Sequence, residues 1–217
     1  MRRKESEFKT IFFSESGTQK INNDYFGYVQ LDNYAIWVIA DGYDGEEGAN
    51  IASKLSVESV IEYFTAHPRF NKEVIKELFK YTNDTIKQKQ EEIERYSLMH
   101  TSLLIVISNY NKILYGNIGN TRLYHIQGGY IVNQSSDDSV SQLLVQERAL
   151  DIKDIKSHRQ RNDLLQAIGD YSKIKPIISN EIKLLEGDKI CLTTRGTWEN
   201  IDEHEIEVEL SKFPERE

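Results

Sequence analysis

The sequence predicts an α+β domain in which antiparallel strands form a sandwich and helices pack outside it. Three observations carry this. The apolar runs at residues 35–40 (AIWVIA) and 102–108 (SLLIVIS) have the length and β-branched content of buried strands rather than helices. Two long helical patterns follow one another with no strand between them. The order of strands, two helices, a meander of strands, further helices and a late strand does not alternate as a doubly wound fold does.

The elements follow in chain order. Residues 24–29 form a short aromatic strand, and residues 35–40 a buried one. A helix over 48–66 places Ile51, Leu55, Val60 and Tyr63 near a helical period. A second, over 71–95, does the same with Val74, Leu78, Tyr81, Thr85 and Ile93 and turns a lysine- and glutamate-rich face outward. Strands at 102–108, 112–118 and 122–126 are separated by Asn and Gly turn signals. Residues 130–133 close a hairpin across Gln127-Gly128-Gly129. A helix is expected over 139–147, with shorter ones at 151–156 and 198–201. The strand at 189–193 (KICLT) follows the turn Glu186-Gly187-Asp188.

Composition narrows the function classes. The 217 residues are expected to form one domain, 1–217, and the 39% hydrophobic content suffices for its core. No apolar run approaches the ~20 residues of a membrane span. The N-terminal MRRKESEFKT is charged and has no apolar stretch after it, unlike a signal peptide. The single cysteine, Cys191, excludes an intramolecular disulfide and a cysteine metal cluster. A cytoplasmic protein is the expectation. The net charge of −8 argues against nucleic acid as the partner, since that affinity rests on neutralising phosphates.

The chemistry is expected around Ala40-Asp41-Gly42-Tyr43-Asp44-Gly45. An aspartate at the end of a buried strand sets a carboxylate at the sheet rim, and the glycine after it leaves its carbonyl accessible. Asp24, after Asn22-Asn23, opens the earlier strand in the same way. Two aspartates at strand ends can share a hard cation such as Mg²⁺ or Mn²⁺. Asp-Gly is also an ordinary turn signal, and both readings stand on these residues alone.

Seven segments in order resemble the type 2C metal-dependent Ser/Thr protein phosphatases. Gly17-Thr18-Gln19-Lys20-Ile21-Asn22-Asn23-Asp24 is similar to G-x-R-x-x-N-E-D, and Asp41-Gly42-Tyr43-Asp44-Gly45 to D-G-M-G-G. His100-Thr101-Ser102 resembles G-T-T, and Gly119-Asn120-Thr121-Arg122-Leu123-Tyr124 resembles G-D-S-R-x-Y. Asp137-Asp138-Ser139 is similar to D-H-S, and residues 161–169 (RNDLLQAIG) to R-N-x-L-T-x-A-L-G. Residues 184–196 resemble the stretch that ends in S-D-G. The resemblance implies a four-layer α-β-β-α sandwich of two antiparallel sheets. It also implies a site at one end where two metal ions activate a water for attack on a phosphoserine or phosphothreonine. Asp24, Asp41 and the Gly42 carbonyl are the ligands it carries over.

Several positions depart from the pattern. The S-D-G aspartate is Arg195, and the G-D-S-R aspartate, which implies an additional metal, is Asn120. The opening arginine, implied as a phosphate contact, is Gln19, and the following glutamate is Asn23. The sequence ends at Glu217, ahead of any counterpart of the family's terminal strand and its D-N ligand. Arg195 weighs most. A unit charge pair at ~4 Å and an effective dielectric of ~20 is worth about 4 kcal/mol, so a guanidinium opposing a divalent ion costs about 8 kcal/mol. Arginine does not deprotonate to escape this.

The expectation is therefore a silent, phosphatase-like domain, a pseudophosphatase that binds or regulates a protein partner or phosphoprotein in signalling and needs no cofactor. In it, Arg195 either pairs with Asp24 and Asp41 in the metal's place or points to solvent. The alternative is an active Ser/Thr phosphatase using Mn²⁺ or Mg²⁺. Tyr43 is expected as a packing or surface aromatic, Asp44 as a turn residue, Arg122 as structural and Cys191 as a small core residue. No metal is assigned to His67, His100, His125, His158 or His204.

Overall fold

A computed structural model describes residues 8–212. Part of the charged N-terminal segment and the end of the chain at Glu217 lie outside the described residues. Strands β1 (Asp24–Gln30) and β2 (Ala35–Gly42) are followed by helices α1 (Ala49–Ala66) and α2 (Lys72–Glu92). Strands β3 (Thr101–Ser108), β4 (Lys112–Ile118), β5 (Arg122–Gln127) and β6 (Tyr130–Gln134) form the meander. Helix α3 (Val140–Gln146), the two-residue strands β7 (Ile177–Ile178) and β8 (Ile182–Lys183), and β9 (Lys189–Thr193) follow. Helices α4 (Arg195–Trp198) and α5 (Glu203–Ser211) complete the order.

The strands form two antiparallel sheets. One runs β1-β2-β3-β4-β7, with β8 also paired to β4. The other runs β6-β5-β9. Side chains alternate across each strand, and this sorts the core into layers. Ile36, Val38 and Ala40 of β2 and Leu103, Ile105 and Ile107 of β3 face α1 and α2, where Phe64, Leu78 and Phe79 meet them. Leu104 and Val106 of β3 point the other way and meet Leu123 between the sheets, with Trp37, Ile39, Ile190 and Leu192 beside them. Tyr124 and Ile126 on the far face of the second sheet meet Ile206 of α5. Each fully buried side chain of this size contributes about 1.5–3 kcal/mol. The result is the expected helix–sheet–sheet–helix layering.

The two apolar runs appear as β2 and β3, and β3 is buried along its whole length. Some boundaries differ. The second helix stops at Glu92, because Ile93 turns extended (φ −133°, ψ 100°), and a 3₁₀ turn covers Glu94–Tyr96. Tyr81 does not join the core face of α2. It is 38% exposed and lies against Tyr63 of α1 at a ring separation of 5.0 Å, while Thr82 and Ile86 take the buried stripe. The short helix expected from Trp198 begins instead at Arg195 and ends at Trp198. Helix α5 and strands β7 and β8 are additional to the expected elements. Among the described residues no helix is long and apolar enough to cross a membrane.

Gly42 fixes how closely α1 approaches the end of β2. A Cβ there would stand 2.2 Å from the Ala49 carbonyl oxygen, so only glycine lets the first turn of α1 lie against the strand end.

Candidate functional site

Asp24 and Asp41 are brought together by strand register. They are direct partners across the antiparallel β1–β2 pair, at the end of the strands nearest the Asp-Gly loop. Asp24 is held locally, its backbone N–H donating to Asn22 Oδ1 at 2.9 Å. The Gly42 N–H donates to the Asn23 carbonyl at 3.0 Å, which closes the end of the pair.

The turn from β9 into α4 covers this rim. The Thr194 hydroxyl donates to Asp24 Oδ2 at 2.6 Å, and the Arg195 backbone N–H donates to Asp41 Oδ2 at 3.2 Å. Burial raises the Asp41 carboxyl to about 7, and the facing Asp24 adds to the effect while the Arg195 charge opposes it. Burial also raises Asp24, against the hydrogen bond from Thr194.

The Arg195 guanidinium does not sit on Asp24 and Asp41, contrary to the sequence expectation. It binds Asp44 Oδ2 through Nη2 and lies 3.5 Å from Glu199 Oε2 through Nη1. Only its main chain reaches Asp41. Asp44 is accordingly more than a turn residue: its second oxygen accepts from Asn23 Nδ2 at 3.1 Å. Glu199 Oε1 in turn accepts from Arg161 Nε at 3.0 Å.

The other singled-out residues fall around this rim. Asn120 is buried, and its carbonyl accepts the Trp198 indole N–H at 2.7 Å. The Trp198 ring lies under the Arg122 guanidinium, 3.6 Å from its centre. Arg122 makes a bidentate pair with Asp137 at 2.8 and 2.6 Å, both side chains almost fully buried, which is the structural role expected of it. Gln19 is exposed in the turn before β1 and lines an open cavity of about 630 Å³ with Lys20, Asn23, Glu46 and Asn50. Tyr43 is 36% exposed, and its hydroxyl donates to the Asn162 carbonyl at 3.1 Å. His100 lies 3.1 Å from the Glu46 carboxylate and 3.7 Å from Asp170.

The sequence reading missed Thr194 and Glu199. Glu199 stands four residues after Arg195, a spacing that joins side chains on one helical face and was legible. Thr194 holds the place of the serine in S-D-G, so its hydroxyl was legible too.

Two antiparallel sheets with helices outside, and facing aspartates at one rim beneath an Asp-Gly loop, define a type 2C phosphatase-like architecture. The chain belongs to the Protein phosphatase 2C family, whose sequence model matches residues 14–211. It is 27% identical over 207 residues to protein phosphatase PhpP of Streptococcus pneumoniae, covering 93% of this chain and 84% of that one. It is 24% identical over 211 residues to the serine/threonine phosphatase stp of Listeria monocytogenes, covering 93% and 81%. Its fold superposes on the serine/threonine phosphatase Stp1 from Staphylococcus aureus with a TM-score of 0.85 at 21% identity, covering 99% of this chain and 87% of that one. The catalytic domain of the serine/threonine protein phosphatase PstP, solved in complex with two manganese ions, gives a TM-score of 0.71 at 19% identity, covering 89% and 86%.

Proposed function

We propose that this chain is a silent member of its family, a pseudophosphatase whose scaffold binds or regulates a protein partner or phosphoprotein. One observation carries the reading: the short segment that closes the carboxylate pair brings a guanidinium, Arg195, where the family motif carries an aspartate. The donors left for a divalent cation are Asp24, Asp41 and the Gly42 carbonyl. Asp24 Oδ2 is already bound to Thr194 and Asp41 Oδ2 to the Arg195 N–H. A set of two carboxylates whose third motif position is an arginine, turned toward Asp44 and Glu199, fits a pair of divalent ions poorly for want of ligands. Asn120, Asn23 and Gln19 at the other motif positions point the same way. The reading takes the cytoplasm as the compartment, and the net charge of −8 disfavours nucleic acid as the target.

A second reading is favoured by the relatives, which are named as phosphatases. In it, Asp24, Asp41 and Gly42 hold Mn²⁺ or Mg²⁺ in a reduced centre and the chain hydrolyses phosphoserine or phosphothreonine. One experiment separates the two. The purified chain is titrated with Mn²⁺ by calorimetry and assayed on a phosphothreonine peptide with and without Mn²⁺. The silent reading expects no tight binding and no Mn²⁺-dependent release of phosphate above the blank. Turnover that Asp41→Asn abolishes would establish the active reading instead.

A further inference from the structure

Three positions that depart from the family motifs are bonded to one another. Asn23 donates to Asp44 Oδ1, and Asp44 Oδ2 accepts from Arg195. Arg195 also reaches Glu199, whose other oxygen accepts from Arg161. Four chain segments meet here: the turn before β1, the loop after β2, helix α4, and the loop carrying Arg161. Both carboxylates use both of their oxygens, and the guanidinium uses both of its terminal nitrogens. The arginine and Glu199 side chains are only 23% and 16% exposed, while Asp44, at 40%, forms the solvent-facing end of the cluster.

We propose that Asp44, Arg195 and Glu199 form a fixed ion triad that takes over the bridging role of a bound cation, holding the four segments together without metal. The chemistry suits the task. A bound cation joins carboxylates from distant segments by charge, and a planar guanidinium does the same through directed hydrogen bonds while keeping its charge at any pH the fold survives. Asp44 and Arg195 are then one unit: without Asp44 the guanidinium keeps only Glu199, and without Arg195 the Asp44 carboxylate keeps only the Asn23 amide. The inference deepens the silent reading but stands on stability rather than turnover.

The test is a set of thermal melts on the full chain. In EDTA, Asp44→Ala and Arg195→Ala are each expected to lower the Tm by about 2–4 °C, the shift of roughly a fivefold change in the folding constant at this size. The double variant should fall no further than the worse single one. Additive losses overturn the triad. In a second arm, Arg195→Asp is expected to melt below the parent in EDTA and to recover with MnCl₂, while the parent is unmoved by MnCl₂. A parent stabilised by MnCl₂, or an Arg195→Asp chain that MnCl₂ leaves unchanged, overturns the substitution for a cation. Hydrolysis by the parent would remove the silent reading and leave the melts to decide the triad. Additive melts would remove the triad and leave the hydrolysis assay to decide the silent reading.

Discussion

Asp24 and Asp41 stand directly opposite one another across β1 and β2, and each is closed by a different donor of one dipeptide, the Thr194 hydroxyl and the Arg195 backbone N–H. Two acids in such proximity do not ionise independently. Their shared cost sets the first prediction.

The Asp41 carboxyl has a folded pKa of about 7, above its unfolded value of 3.8. A raised folded pKa means that the folded state holds the proton more tightly. The resulting stability is fully present below about 3.8 and is lost as pH rises through about 7. Asp41→Asn mimics the protonated form at every pH. In EDTA at pH 8 the variant should melt at least about 2–4 °C above the parent, the shift that goes with about 1 kcal/mol at this chain length. The gap should narrow steadily as pH falls from 7 toward 4 and close only below about 3.8. Parallel melting curves across that range would contradict it.

Gly42→Ala should be costly although alanine is small. Its methyl would stand 2.2 Å from the Ala49 carbonyl oxygen, and that oxygen belongs to backbone that cannot rotate away. A loss of at least about 1–3 kcal/mol is expected, the range for forced overpacking. Urea unfolding followed by circular dichroism measures it. Gly45→Ala is the control for space, since nothing lies within 4 Å of a Cβ there. Its strain comes only from a positive φ of 90°.

Asp137→Ala would leave the Arg122 cation buried without its bidentate partner. About 3–5 kcal/mol of destabilisation is expected. Replacing both residues with apolar ones of similar volume should cost less than Asp137→Ala alone, and denaturant midpoints of the two variants decide this.

Cys191 is half-buried beside Tyr124 and Ile126 rather than sealed in the core, and this burial pushes its thiol up to about 11, so at pH 7–8 it stays protonated in the folded chain. Iodoacetamide should label it slowly under native conditions and rapidly in urea, as read by mass spectrometry. Equal rates in the two states would place the thiol in contact with solvent.

Much of the layering was legible because it rests on local pattern. The continuous apolar runs of β2 and β3 had to be buried on both faces, and two successive helices had to cover one side. Tyr81 was misread because a helical stripe drawn on sequence spacing alone cannot tell the core face from the face that meets a neighbouring helix. Helix α5 carried a readable start, Asp202 and Glu205 in a reciprocal capping arrangement, but its single buried residue, Ile206, gave little periodicity. Strands β7 and β8, two residues each, have no pattern to read. At the rim, motif order located Asp24, Asp41 and Arg195 together. It left open which acid the guanidinium would choose, since Asp44 lies 151 positions away and side-chain direction is decided by packing.

The chain has two tryptophans, and one of them, Trp198, is fully buried with its ring against a cation and its N–H on the Asn120 carbonyl. It closes the short helix that begins at Arg195. An indole so placed is an optical gauge of the rim, its emission set by a guanidinium, a carbonyl and the absence of solvent. Any ligand or partner that shifts this helix will change the colour and intensity of that light, so the chain can report an encounter without a label.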